Sequence, residues 1–156
     1  MTYQLLKLIH LVAVIIFLGN IITGLFWKAH ADRTRDLRFI AHTMHGIVRA
    51  DRWFTIPGVV AITVAGILTA IQGGLPILGT GWILWSLVAF TISGIIFAWR
   101  LAPLQKQLLA LTRSASDASF DWTLYRSKST QWELWGLIAT VTPLIAVVLM
   151  VIKRPA

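Results

Sequence analysis

Four long apolar runs without Asp, Glu, Lys or Arg constrain this chain more than any other feature. Each is 19 or 20 residues long, and they are Leu8–Trp27, Trp53–Ile71, Gly81–Trp99 and Leu134–Ile152. A bilayer has a hydrocarbon core about 30 Å thick, which about 20 helical residues cross once. The sequence therefore predicts an all-α, four-helix transmembrane bundle, with spans at about residues 5–27, 53–72, 81–101 and 132–152 of a single integral membrane domain.

Composition agrees with a membrane protein, because 57% of the 156 residues are hydrophobic and only 13% are charged. A soluble chain of this size needs more polar surface. The net charge of +8 would suit nucleic acid, but the basic residues lie between the apolar runs. We therefore expect a lipid bilayer as partner and no nucleic acid. The chain has no cysteine, so any redox chemistry would need a cofactor.

Basic residues are distributed unequally between the connections. The segments Lys28–Arg52 and Arg100–Gln131 hold eleven of the fourteen Lys and Arg, whereas the turn Gln72–Thr80 has none. By the positive-inside rule, the two long connections are cytoplasmic and both termini lie outside. The first apolar run is longer than the core of a signal peptide, so we expect it to be retained as a span.

The first long connection has helical periodicity. From Asp36 to Arg52 its apolar residues recur at helical spacing, opposite Arg38, His42, His45 and Arg49. This pattern predicts an amphipathic cytoplasmic helix between spans one and two, lying on the inner surface or extending span two. His42 and His45 are three residues apart and could hold a metal, or with Arg38 and Arg49 they could bind lipid phosphates.

His10 is the first candidate for a cofactor site, because an ionisable side chain within a span usually has a ligand or a polar partner. A hydrogen bond to a neighbouring helix is the alternative. Lys7 precedes it by three residues, and Gly24, on nearly the same helix face, could leave room for a bulky flat group or for another helix. Met150 lies at a similar depth on span four, and His with Met can ligate haem iron or copper. Asn20, on another face, is expected to bond between helices.

Several other residues are predicted to be structural. Tryptophans at the span ends are expected to be interfacial anchors, and they are Trp27, Trp53, Trp99 and Trp132 at the inner side and Trp82 and Trp85 at the outer side. Stripes of small residues predict close helix packing within the bundle or between protomers, and they are Gly58, Ala61 and Ala65 on span two and Gly94 and Ala98 on span three. Glu133 is expected to pair with Arg52 or Arg100.

Several segments resemble an uncharacterised family of bacterial four-span inner-membrane proteins. These segments cover both ends and the middle of the chain, and they are Leu6–His10, Asp51–Gly58, Pro103–Gln105, Trp135–Gly136, Pro143–Leu144 and Val148–Lys153. The resemblance implies a multi-pass protein of the bacterial inner membrane.

Lys7 with His10, and Arg52 followed by Pro57 and Gly58, are also distantly similar to CopD-type copper-resistance proteins and HemJ-type protoporphyrinogen oxidases. The latter resemblance implies b-type haem, a homo-oligomer and His10 as ligand. Ser86 stands where that group has lysine, which argues against the oxidase activity itself. Two hypotheses follow: a redox protein that binds haem b or a porphyrin through His10, and a non-catalytic structural or transport accessory protein that could handle copper.

Overall fold

The chain is all-α over the residues that the computed structural model describes, 2–113 and 120–155. Residues 114–119 of the second long connection lie outside this description. Four helices of 31 to 36 residues account for nearly all of it, and they are α1 (Tyr3–Thr34), α2 (Leu37–Gln72), α3 (Gly81–Arg113) and α4 (Trp122–Ile152). Each is long and apolar enough to cross a membrane, which confirms the prediction of four spanning helices.

The helices begin and end at residues with clear local reasons. Asp36 caps α2 by accepting hydrogen bonds from the backbone N–H groups of Arg38 and Phe39. Asp121 caps α4 in the same way through Leu124. Arg35, with φ 55°, terminates α1 in the left-handed region, and the next helix starts two residues later.

The helices are longer than the membrane requires. At about 1.5 Å per residue they are about 47–54 Å long, against a hydrocarbon core of about 30 Å. The excess lies at one end of the bundle, where α1 joins α2 and α3 joins α4. We call this the basic end, because its connections hold most of the Lys and Arg, and we call the opposite end the terminal end.

Helices α2 and α3 each contain a π-helical segment near the basic end. In α2 it is Asp51–Thr55, and in α3 it is Phe97–Leu101. In each case the following N–H bonds five residues back, from Ile56 to the Asp51 carbonyl and from Ala102 to the Phe97 carbonyl. A proline comes next in both helices, at positions 57 and 103. Since proline has no N–H, these widened turns lie where the regular bond pattern is interrupted.

The amphipathic segment proposed from the sequence is the first part of α2 itself rather than a separate helix. Its buried side chains are Leu37, Ile40, Met44 and Ile47. The last three share one apolar core with residues of α1, α3 and α4. Protein therefore covers its apolar face. Of the two arrangements expected, the segment extends the second spanning helix rather than lying on a lipid surface.

Near the terminal end the bundle divides into two helix pairs. Helix α1 packs on α2, and α3 packs on α4, whereas α2 and α3 make little direct contact there. Serines hold the second pair together. Pro143 leaves the Ala139 carbonyl without its helical N–H partner, and the Ser93 hydroxyl donates to that oxygen at 2.6 Å. Ser86 donates to the carbonyls of Trp82 and Ala146.

Candidate functional site

A cavity of about 830 Å³ lies inside the bundle at the depth of the two π-helical segments. All four helices line it, each with residues from its part nearest the basic end or from mid-helix. Its walls are mainly apolar, and six of the lining side chains are aromatic: Phe17, Trp27, Phe90, Phe97, Trp99 and Trp132. This size and composition are typical of a site for a hydrophobic small molecule.

Toward the terminal end, where α2 and α3 are not packed on each other, the cavity opens on the side of the bundle between these two helices. Four of the large apolar residues described in its lining are more than half exposed, namely Trp27, Ile56, Val60 and Trp99. At its terminal-end limit, Phe17 and Phe90 meet edge to face with ring centroids 5.5 Å apart. This contact joins the two helix pairs and closes the cavity on that side.

Small residues create much of the space. Gly94 and Ala98, one of the predicted stripes, line the cavity instead of a helix contact. A methyl group at Gly94 would have no atom within 4 Å. Gly24 also lines the cavity, as expected for a residue that leaves room for a bulky group. The other stripe lies inside the bundle, where a methyl group at Gly58 would come within 3.3 Å of the Phe17 Cβ.

One polar network faces the cavity and is centred on Asp51, which is 8% exposed. Its Oδ1 accepts hydrogen bonds from Thr55 Oγ1 at 2.8 Å and Asn20 Nδ2 at 3.3 Å. Its Oδ2 accepts from Gln105 Nε2 at 2.8 Å. Asn20 thus bonds between helices, as the sequence predicts, and the network joins α1, α2 and α3.

Trp132 also lines the cavity, and the prediction that it is an interfacial anchor was wrong. Its side chain is only 4% exposed, because α4 turns it into the core shared by the four helices. Its indole Nε1 is buried without a hydrogen-bond partner. A buried N–H that lacks a partner is costly, so this group could donate to an acceptor on a bound molecule. Trp27, Trp53 and Trp85 are more than half exposed, as anchors should be.

A second polar cluster lies beside the cavity, behind Trp132. Lys28 is fully buried, and its Nζ donates to Asp32 and, at 2.7 Å, to the Ser129 hydroxyl. Tyr125 donates to the second oxygen of Asp32 at 2.6 Å. The Lys28 ammonium also lies 5.2 Å from the Tyr125 ring centre and 5.8 Å from that of Trp132. This charge is therefore neutralised within the protein.

Glu133 belongs to the edge of this second cluster, and its predicted pairing was wrong. Ser129 approaches it at 3.4 Å, and no ion pair joins it to Arg52 or Arg100 in the part of the chain that the structure describes. The guanidinium of Arg100 instead lies 5.2 Å from the Trp135 ring centre.

His10 lies on α1 toward the terminal end, outside the cavity lining. Its Nδ1 is 2.9 Å from the Ile62 carbonyl oxygen of α2. Since a carbonyl can only accept, Nδ1 carries the proton in this hydrogen bond. The ring packs over Gly66, where a Cβ would come within 2.9 Å of His10 Cε1. A glycine at this position thus allows the imidazole to lie against the backbone.

The other predicted site residues are not joined to His10 by any described hydrogen bond. Lys7 is exposed, and Met150 is half-buried on α4, whereas the hydrogen bond of His10 is to α2. On the first part of α2, all four polar candidates are exposed, namely Arg38, His42, His45 and Arg49. Among residues 2–113 and 120–155, no group of three or more His, Cys, Asp or Glu is arranged to hold a metal ion.

The sequence interpretation missed Asp51, Gln105 and the Lys28–Asp32 pair. Two signals could have pointed to them. Lys28 and Asp32 are four residues apart, the spacing of an ion pair on one helix face. Prolines 57 and 103 follow aromatic and basic residues at matching depths, which indicates interrupted helices at one level.

The fold and the cavity together define an integral membrane protein with four spanning helices and a lateral, mainly apolar cavity. The chain belongs to the family described as "Predicted integral membrane protein (DUF2269)", which matches residues 4–154. This confirms the uncharacterised membrane family expected from the sequence, whereas the similarity to the CopD and HemJ types stays a prediction. No curated protein and no solved structure matches the chain.

Proposed function

We propose that this protein binds a hydrophobic small molecule in the cavity between α2 and α3, as a non-catalytic binding or transport accessory protein of the membrane. The cavity itself carries the proposal. It measures about 830 Å³, receives residues from every helix and combines apolar walls with a few convergent polar groups. Its lateral opening would let a ligand enter from the bilayer.

A cavity-filling variant tests this proposal. Phenylalanine in place of Gly94 would project into free space, because nothing lies within 4 Å of a Cβ there. The matched control is Gly19→Phe, since Gly19 is exposed like Gly94 and has equally free surroundings but lies outside the lining. The probe is N-phenyl-1-naphthylamine, a neutral aromatic molecule, and its retention on the protein is counted by native mass spectrometry.

We expect one probe molecule per chain on the wild-type protein and on Gly19→Phe, and loss of the probe from Gly94→Phe. Equal retention by both variants would place the probe outside the cavity and overturn the proposal. Size-exclusion profiles of the two variants serve as the check that each is folded.

A second proposal is that His10 ligates haem b or a porphyrin-bound metal for a redox role. The orientation of its ring supports this, because an imidazole that donates Nδ1–H to a carbonyl has the free Nε2 typical of a metal ligand. Bound haem would supply one-electron transfer. Met150 is the proposed second ligand, and Lys7 would lie near the cofactor. Copper handling is the less supported version of this second proposal, since the described residues offer no group of three or more His, Cys, Asp or Glu that could hold a metal ion.

The haem proposal predicts a Soret band in protein purified from cells with ample haem. Replacing His10 with Ala should abolish this band at unchanged oligomer size, and Met150→Leu should shift it because sulfur is lost at similar volume. Colourless wild-type protein would reduce His10 to a contact between helices.

We also propose that the basic end faces the cytoplasm of a bacterial inner membrane, so that both termini lie outside. Alkaline phosphatase fused after Lys153 should then be active, and an inactive fusion would reverse the orientation. At that face, Arg38 and Arg49 would contact lipid phosphates, and His42 and His45 would bind metal only with a ligand from elsewhere. Association into a homo-oligomer stays a prediction.

A further inference from the structure

The charge balance of the cavity indicates what it binds. Among the described residues that line the cavity, Asp51 is the one acidic or basic side chain. Its three hydrogen-bond donors, Asn20, Thr55 and Gln105, are all uncharged. The ion pair that the structure shows in its described residues is Lys28–Asp32, and it leaves Asp51 without a cation. The nearest basic residue in sequence, Arg52, is exposed.

A buried carboxylate with neutral donors alone is incompletely compensated. Buried charges in proteins are normally paired, because removing a charge from water costs more than a few neutral hydrogen bonds return. The Oδ1 atom of Asp51 accepts two hydrogen bonds, but Oδ2 accepts one. A carboxylate has about four acceptor positions, so Oδ2 retains one for a further donor.

The cavity walls also favour a positive group. Aromatic rings attract cations to their faces, and six aromatic residues line this cavity. Two of them, Phe97 and Trp132, belong to α3 and α4, so the aromatic walls come from more than one helix. In the neighbouring cluster the protein already uses this interaction, where Lys28 lies over the Tyr125 and Trp132 rings.

A metal ion fits these walls poorly. Mg²⁺ and Ca²⁺ need several oxygen ligands, and apart from Asp51 the cavity offers neutral groups that are already engaged with one another. The described residues contain no group of three or more metal-ligating acidic, His or Cys side chains. An organic cation avoids this cost, since its positive charge is carried on an apolar body.

We propose that the cavity binds a lipophilic cation, with its positive group at Asp51 and its apolar body against the aromatic walls. This rests on the proposed function, that the cavity is a ligand site, and adds the chemical class of the ligand. The indole N–H of Trp132 is free to donate to an acceptor that the same molecule carries.

Two ions of equal size and opposite charge provide the test, tetraphenylphosphonium and tetraphenylborate. Binding to wild-type protein in phosphatidylcholine nanodiscs is measured by equilibrium dialysis and corrected for empty nanodiscs. We expect saturable binding of one tetraphenylphosphonium per chain, and about 30-fold or more weaker binding of tetraphenylborate, which the carboxylate repels. This comparison needs no variant. Equal corrected affinities would overturn the proposal.

Substitution of Asp51 by Asn adds a second measurement. It removes the charge at constant shape and should weaken tetraphenylphosphonium binding by about 30-fold or more. The control is Asp36→Asn, which removes the same charge from an exposed helix cap that asparagine also fills. Unchanged binding in a folded Asp51→Asn protein would contradict the cation site.

The two proposals fail in different ways. If Gly94→Phe loses N-phenyl-1-naphthylamine but the protein binds the two ions with equal affinity, the cavity is a ligand site and the cation inference is wrong. If none of the three probes depends on Gly94, the proposed function fails together with the inference.

Discussion

Two carboxylates at the basic end, the partly buried Asp32 and the buried Asp51, differ in what neutralises them. Asp32 accepts hydrogen bonds from Lys28 and Tyr125, and the Lys28 ammonium is fully enclosed. Asp51 is more deeply buried, among α1, α2 and α3, yet its partners are amides and a hydroxyl. In the first cluster the negative charge is paired with a positive one, whereas the carboxylate of the second has no cation and faces a cavity.

This difference separates a structural cluster from a candidate binding site. A buried pair with both charges present is strongly coupled, and loss of one member leaves the other uncompensated. A buried carboxylate without a cation has no such partner to lose. The stability of the protein should therefore depend on Lys28 far more than on Asp51, while ligand binding should show the reverse order.

The largest expected effect is that of Lys28→Met, which keeps an apolar stem but removes the cation. Asp32 would then be left in a partly buried site without its counter-charge, at a cost of about 3 kcal/mol in the free energy of unfolding. Titration with SDS in mixed micelles, followed by circular dichroism, measures this quantity. The double variant Lys28→Met with Asp32→Asn should recover much of the loss. A double variant as unstable as Lys28→Met alone would refute the idea that Lys28 stabilises the protein by neutralising Asp32.

Asp51→Asn should change the free energy of unfolding by no more than about 1 kcal/mol. The Oδ1 atom of the new asparagine can still accept from Asn20 and Thr55. Rotation of the Gln105 amide by about 180° would let its Oε1 accept a hydrogen bond from the Nδ2 of that asparagine. The same titration applies. A loss as large as that of Lys28→Met would show that Asp51 is a structural charge like Asp32, and the contrast between the clusters would disappear.

Ser93→Ala gives the value of an uncharged contact between helices in the same bundle. It leaves the Ala139 carbonyl, already freed by Pro143, without the hydroxyl that donates to it at 2.6 Å. Such bonds in membranes are worth about 0.6 kcal/mol on average. The matched control is Thr142→Ala, whose hydroxyl lies 3.5 Å from the same oxygen and should contribute less. Equal losses of stability in the two variants would show that the Ser93 hydroxyl contributes no more than that of Thr142.

Glu133→Gln should have the smallest effect, below about 0.5 kcal/mol in the free energy of unfolding. Glu133 is half-exposed, and its contact with Ser129 is long at 3.4 Å. The variant decides which acid balances Lys28. Destabilisation comparable to that of Asp32→Asn would mean that Glu133 shares this role.

The fold was largely accessible from the sequence, because span length and hydropathy follow directly from bilayer thickness. The cavity was only partly accessible. Gly24 indicated room for a group or a helix, whereas Gly94 and Ala98 were expected to pack against another helix. Whether small residues face a helix or a void depends on how four helices are arranged. Trp132 and Trp27 both stand near the predicted inner ends of spans. Only the packing of the helices buries the first, on α4, and leaves the second, on α1, exposed.

The charged residues show the same limit. Lys28 counts among the basic residues of a connection, and nothing in its immediate sequence distinguishes it from an exposed lysine except Asp32 four positions later. The Asp51 network joins residues 31 to 54 positions apart in the chain. Such contacts arise from the relative depth of the helices, which hydropathy defines only to within a turn.

The π-helical segment of α2 also alters the phase of its sequence repeat. The buried positions that precede the segment are 37, 40, 44 and 47. From the last residue of the segment onward they are 55, 58, 62 and 65, and both sets alternate in steps of three and four. Between them, Ile47, Asp51 and Thr55 are separated by two consecutive steps of four, so one surplus residue is accommodated. One residue corresponds to about 100° of rotation in an α-helix. A numbering of α2 as one unbroken repeat would thus place every position on one side of Asp51 about 100° from its actual face. Deletion of a single residue here would remove the surplus residue and leave a regular α-helix whose two halves keep their faces toward their neighbours.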